Sequence, residues 1–165
     1  MHKGQIISME FSLVFIVLII LFIFGISLWN LSSSRLSEHL IKNELFIGTV
    51  DISDQLLRSQ GNPTDWESNV TKLVSLGIVS TANKLDVKKV TALQNVSYNR
   101  TKDSLGIKTH EIYIKITDLS GNIVQLNGTN SEVGLKPIAG SNTINFQRTA
   151  LLDGGLVYVN VVVWK

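Results

Sequence analysis

Residues Phe11 to Ile26 form an apolar run broken only by Ser12 and Gly25, and the run continues through Leu28 to Trp29. Read as a helix of about 19 residues, it rises about 29 Å, close to the hydrocarbon thickness of a bilayer, so it is long enough to cross a membrane once. Val14, Phe15, Ile16, Val17, Ile19, Ile20, Phe22, Ile23 and Phe24 are β-branched or aromatic and poor helix formers in water. In lipid the backbone must satisfy its own hydrogen bonds, which enforces the helix. Trp29 falls where an interfacial aromatic sits. Lys3 favours a cytoplasmic N-terminus by the positive-inside rule, with Arg35, Lys42 and Arg58 beyond the other end reducing the asymmetry.

One carboxylate, Glu10, stands directly before this run. A charge at the lip of a membrane segment is costly unless paired, so it marks a functional position. An ordinary secretory signal carries its small-residue cleavage site beyond the apolar core. Here Ser32-Ser33-Ser34-Arg35 is a poor A-x-A-like site, although its small serines leave an ordinary cleaved signal as the lesser alternative. The small residue beside a charge lies before the core instead, in the short leader Met1-His2-Lys3-Gly4. A cut beside Gly4 removes a few residues and leaves the apolar helix on the mature chain.

About 130 residues follow the anchor, enough for one compact domain. The net charge of +2 is small, and no Lys/Arg cluster with interleaved aromatics is present, so nucleic acid is not an expected partner. Cysteine is absent, which removes disulfides and cysteine-ligated metals. Five N-x-S/T sequons begin at Asn30, Asn69, Asn95, Asn99 and Asn127. The four beyond the anchor, Asn69, Asn95, Asn99 and Asn127, are candidate glycosylation sites if that region is translocated.

From Ser33 to Arg58, Leu36, Leu40, Leu45 or Ile47, Val50 and Leu56-Leu57 recur at spacings near three and four, predicting an amphipathic continuation of the helix to the stop at Gln60-Gly61-Asn62-Pro63. Glu38 and Lys42 form one favourable i,i+4 pair, and Gly48 is a weak point. Val70 to Ser80 reads as a buried strand or a packed loop, with strand favoured, and Asp86 to Leu105 as a helix stopped by Gly106. The period then drops to two over His110 to Asp118, which predicts a strand turning at Leu119-Ser120-Gly121-Asn122 into Ile123 to Leu126. Asn142 to Leu152 and Leu156 to Trp164 flank Asp153-Gly154-Gly155, a strong hairpin signal. Ile144, Phe146 and Arg148 alternate with Asn145 and Gln147; Val157, Val159, Val161 and Val163 are expected on one face, Tyr158, Asn160, Val162 and Trp164 on the other. The predicted fold class is α+β: a long N-terminal helix packed on a small, mainly antiparallel sheet. The expected divisions are leader 1–4, transmembrane or filament-core helix 5–31, amphipathic continuation 32–60 and head domain 61–165.

Lys3-Gly4, then Gln5, Ser8, Glu10 and Phe11 ahead of an apolar helix, resembles the start of archaeal type IV pilin-like proteins with a class III, prepilin-type signal peptide. One group in that family begins Q-x-S-x-E-F directly after the glycine. This chain carries one extra isoleucine between Gln5 and Ser8, so cleavage after Gly4 and after Gln5 are both open. The resemblance covers residues 1–30; beyond residue 60 only the order of helix then sheet is similar. It implies a prepilin-type peptidase acting at Lys3, Gly4 and Gln5, and assembly through Glu10 and Phe11 with other pilin-like subunits. The expected product is a surface filament or pseudopilus serving adhesion, secretion or uptake, with a glycosylated head outside the cell. Glycine beside the cut lets the backbone enter the peptidase closely. The resemblance further implies that the new α-amino group pairs with a neighbouring subunit's Glu10, fixing register.

Plainer readings accompany several of these residues. Glu10 also suits the dipole at a helix N-terminus. Trp66 is expected in the core, His39 and His110 lack metal-like spacing, and Asp51 with Asp54 reads as a solvated stripe. No catalytic or nucleotide-binding motif is present, so neither an enzyme nor a cofactor is expected. The alternative is an uncleaved single-pass surface protein with a ligand-binding or sensory ectodomain.

Overall fold

The computed structural model describes the backbone of residues 3–165 and the side chains of residues 11–165 other than 34, 35, 37, 38 and 41. It is a mixed α+β chain with two compact units, Met1–Ile41 and Lys42–Lys165. Helix α1 runs Lys3–Arg58. Its last turns, from Lys42, belong to the second unit, hereafter the head.

In the head, α1 buries Leu45, Thr49, Ile52, Ser53, Leu56 and Leu57, a stripe at spacings of three and four. Ile47, one of the two positions expected inside, points outward at 53% exposure while Leu45 is buried, because only Leu45 shares the phase of Thr49, Ile52 and Leu56. Leu36 and Leu40, in the first unit, are exposed. The expected Glu38–Lys42 pair involves a side chain outside those described. Helix geometry continues through Gly48, whose missing side chain faces open space.

The helix stops at Arg58, as the Gly61-Asn62-Pro63 signal predicts. Gly61 sits at φ +86°, a left-handed conformation that also lets the Trp66 ring lie close against it. Trp66 is fully buried as expected, and its Nε1 donates to the Gly77 carbonyl at 2.9 Å. Residues 70–80 are not one strand. They form a 3-10 turn, Val70–Lys72, an irregular stretch, and only then strand β1 (Val79–Thr81), which pairs with β2 (Lys84–Leu85). Leu73, Leu76, Ile78 and Val79 are buried, but the backbone there answers to α1: Ile78 N–H donates to Leu56 O and Asn83 N–H to Leu57 O. The carbonyls left open at a helix end are thereby capped.

The single helix expected over residues 86–105 is two, α2 (Val87–Leu93) and α3 (Tyr98–Ser104). Asp86 caps α2 through the Lys88 N–H at 2.8 Å. Ser97 begins a second helix in extended conformation. Lys89 on α2 is buried, its ammonium held by the carbonyls of Gln60 at 2.6 Å and Val79 at 3.4 Å.

The remaining strands are β3 (Glu111–Thr117), β4 (Gln125–Leu126), β5 (Thr129–Asn130), β6 (Glu132–Gly134), β7 (Thr143–Leu152) and β8 (Gly155–Trp164). The main sheet has the order β1-β2-β7-β8-β3-β6, antiparallel except where Lys84 of β2 meets Leu151 of β7. The strand expected over residues 123–126 is reduced to the β4–β5 ribbon and one bridge, Thr117 with Ile123. The C-terminal hairpin turns at Asp153-Gly154, both at positive φ.

Register places Ile112, Ile114 and Ile116 beside Val163, Val161 and Val159, which pair in turn with Ile144, Phe146 and Arg148. This apolar face receives α1: Phe46 meets Phe146 edge-on at 6.1 Å, and Arg148 bonds Asp54 at 2.6 Å. Asp54 therefore ties helix to sheet, not a merely solvated stripe, while Asp51 is exposed. The opposite side of β8 is not open. Asn160, Val162 and Trp164 are also buried; Asn160 donates to Thr117 Oγ1 at 3.3 Å and Trp164 Nε1 to Leu135 O at 3.1 Å. A central strand covered on both sides loses the simple inside-outside alternation.

Two glycines give opposite tests. At Gly77 an added Cβ would run into the Ser59 carbonyl and the Gly61 backbone, whereas at Gly48 it would meet nothing. Gly77→Ala is expected to destabilise the head by about 3 kcal/mol, and Gly48→Ala to stabilise it by about 1 kcal/mol. Thermal melts of the full chain in detergent check both, and a Gly77→Ala melt at the parent temperature contradicts the close crossing.

Candidate functional site

The stretch Phe11–Ser33 is the segment of α1 long and apolar enough to cross a membrane. Its side chains from Phe11 on are exposed: Phe11 by 72% and Trp29 by 75%. Water solvates such a contiguous apolar surface poorly, and its length and composition suit a membrane anchor or a signal sequence. Gly25 leaves a recess among Leu21, Phe22, Ile26 and Trp29. Phe11 is the first described side chain of the segment. The backbone of Lys3, Gly4, Gln5 and Glu10 lies in α1, and their side chains fall outside those described, as does the Glu10 carboxylate.

The head carries a groove of about 360 Å³ between α1 and the Leu105–His110 segment, with Glu44, Asp51 and Lys108 bringing charges of both signs to its walls and His110 an imidazole. His110 Nδ1 lies 3.1 Å from Thr109 Oγ1, and its buried Nε2 has no hydrogen-bond partner.

Two similar polar clusters brace β3. Tyr98 Oη donates to Glu111, whose other oxygen takes Lys102 at 3.0 Å; Tyr113 Oη donates to Glu132, which pairs with Lys136 at 3.2 Å. Each lysine also stands over its tyrosine ring, at 5.6 and 5.7 Å. A recess of about 260 Å³ lies between the clusters, bordered by Tyr98, Glu132 and Leu135. Burial, then the hydrogen bond to the carboxylate, pushes both Tyr98 and Tyr113 up to about 12. The tyrosine hydrogen bond, then the lysine, holds Glu111 and Glu132 below the usual carboxylate range. These clusters have no local sequence signal, because Tyr98 and Lys102 reach Glu111 only when α3 lies beside the start of β3, and Tyr113 reaches Glu132 only through the pairing of β3 with β6.

The four sequon asparagines of the head, Asn69, Asn95, Asn99 and Asn127, are all exposed and stand on separate segments: before the Val70–Lys72 turn, between α2 and α3, in α3, and in the β4–β5 turn. Compared with known proteins, the chain matches no family model, no curated protein and no solved structure.

The clusters set a pH window. A phenol whose folded pKa is raised stabilises the fold fully below about 10, and that share is lost as pH climbs towards about 12. The depressed carboxylates contribute above the ordinary glutamate value, and their share is lost as pH falls through the lower folded value. A spectrophotometric titration of the folded chain should show two tyrosines ionising near 12, and Tyr98→Phe with Tyr113→Phe should remove that component and flatten the alkaline loss of stability. Complete tyrosine ionisation near 10 contradicts the pairing.

Proposed function

We propose that this chain is a type IV pilin-like structural subunit, cut beside Gly4 by a prepilin-type peptidase and assembled through its retained apolar helix into a surface filament or pseudopilus. The observation that carries the reading is the uncovered apolar surface of Phe11–Ser33 in the same helix, Lys3–Arg58, that supplies the buried stripe of a folded head. A disposable signal needs no such continuity. A helix kept on the mature chain serves as a bilayer anchor before assembly and as a filament core after it, since both environments cover apolar side chains.

In this reading Glu10 sets register. Unpaired in lipid, its carboxylate is costly, so it favours the packing that brings a neighbour's new α-amino group to it. Head-to-tail contacts of one kind, repeated without closing, give a filament. The head, with its α1 stripe locked against the sheet, is the part displayed outside, for adhesion, secretion or uptake.

Two substitutions test the reading. Gly4→Leu should abolish the size shift between precursor and mature chain and remove the subunit from filaments. Glu10→Ala should leave membrane insertion intact and reduce filament yield severalfold or more, because the subunit contact loses its pairing charge. An unchanged mature mass in Gly4→Leu, together with a monomeric surface protein, assigns the chain instead to the uncleaved ectodomains; normal filament yield in Glu10→Ala removes the register role.

A further inference from the structure

The sequons of the head differ in a way that their shared pattern conceals. In Asn69-Val70-Thr71 the acceptor amide and the hydroxyl already lie side by side: Thr71 Oγ1 donates to Asn69 Oδ1 at 2.6 Å, and Thr71 N–H donates to the same oxygen at 3.2 Å. Asn69 and Thr71 are both exposed. The Asn69 Nδ2 has no protein partner among the described residues. The segment is held from beneath, because Asn69 N–H donates to the carbonyl of buried Trp66 at 3.1 Å and Arg100 Nη1 bonds the Val70 carbonyl at 2.7 Å.

The other three sequons of the head are arranged differently. Thr101, the hydroxyl residue for Asn99, is fully buried and turned back to Ser97 O in a helix. Asn127 sits at φ +52° in a hairpin turn whose Thr129 is paired in β5. Asn95 is exposed, but the Ser97 hydroxyl makes no bond to it. Asn30 lies within the apolar span.

We infer that Asn69 is the preferred N-glycan acceptor of the folded head. A transferase that reads both the asparagine amide and the hydroxyl two residues on must bring them together, and a segment already in that arrangement loses less conformational freedom on binding. The donor is a lipid-linked sugar phosphate. Asn69 Nδ2 attacks the anomeric carbon, the new N–C bond forms as the C–O bond to phosphate breaks, the lipid phosphate departs with the electron pair, and Nδ2 gives one proton to a base. The inference rests on the proposed function only in requiring that the head be translocated.

The test is glycopeptide mass spectrometry on the full chain from its native surface fraction, reading occupancy at each sequon, with Asn69→Gln and Thr71→Ala as variants. The expected result is highest occupancy at Asn69, and loss of that glycan's mass in both variants, including Thr71→Ala, which retains the asparagine. A bare Asn69 peptide overturns the inference, whether or not another sequon is occupied, as does retention of the glycan in Thr71→Ala. Because the N-terminal residue is read on the same material, a processed chain with bare Asn69 sinks the glycan site alone, whereas an unprocessed chain with glycan at Asn69 sinks the filament reading alone.

Discussion

The packing of α1 against the isoleucine-valine face of the sheet is the contact on which the head depends. Leu45, Ile52, Leu56 and Leu57 are nearly inaccessible, and they lie on the stretch of helix that also anchors Asp54 to Arg148 and Phe46 to Phe146. Each such buried leucine or isoleucine contributes about 1.5–3 kcal/mol relative to exposure, so the four together are comparable with the whole net stability of a small domain. Remove the helix and β3, β7 and β8 lose the cover of one face. The irregular stretch after α1 depends on it too, since Ile78 and Asn83 bond to the last carbonyls of the helix.

The same helix obeys a different rule in its first half. There the apolar residues go all round, with no polar face to set against water, and they are exposed. A stripe buries against a sheet, whereas an apolar cylinder needs a surrounding. The apolar stretch ends at Ser33, and the buried stripe begins at Leu45, within the second compact unit.

The features legible in the sequence were those with a strong local period or a strong local stop: the apolar run, the end at Gly61-Pro63, the alternation of Glu111 to Thr117 and the Asp153-Gly154 hairpin. What escaped was set by long-range contact. Residues 70–80 are rich in Leu, Val and Ile and read as a strand or a packed loop, and they bury Leu73, Leu76, Ile78 and Val79, but not Val74, in a mostly irregular path fixed by the α1 terminus and by Trp66. The break between α2 and α3 has no glycine or proline to announce it; Ser97 supplies a second helix start within a pattern that looks continuous. The burial of Lys89 has no local sequence signal, since the two carbonyls at its ammonium come from Gln60 and Val79, distant in the chain. At the candidate sites the sequence marked the asparagines as equals, and the hydrogen bonds around Thr71 and Thr101 separate them.

The central claim is that the apolar helix remains on the mature protein after a cut ahead of it. Intact mass together with the N-terminal residue of the chain, taken from its native membrane or surface fraction, measures this directly. The account predicts a chain that starts at Gln5 or Ile6 and still carries Phe11–Ser33. A chain starting at Met1, or one starting beyond Leu31, contradicts it.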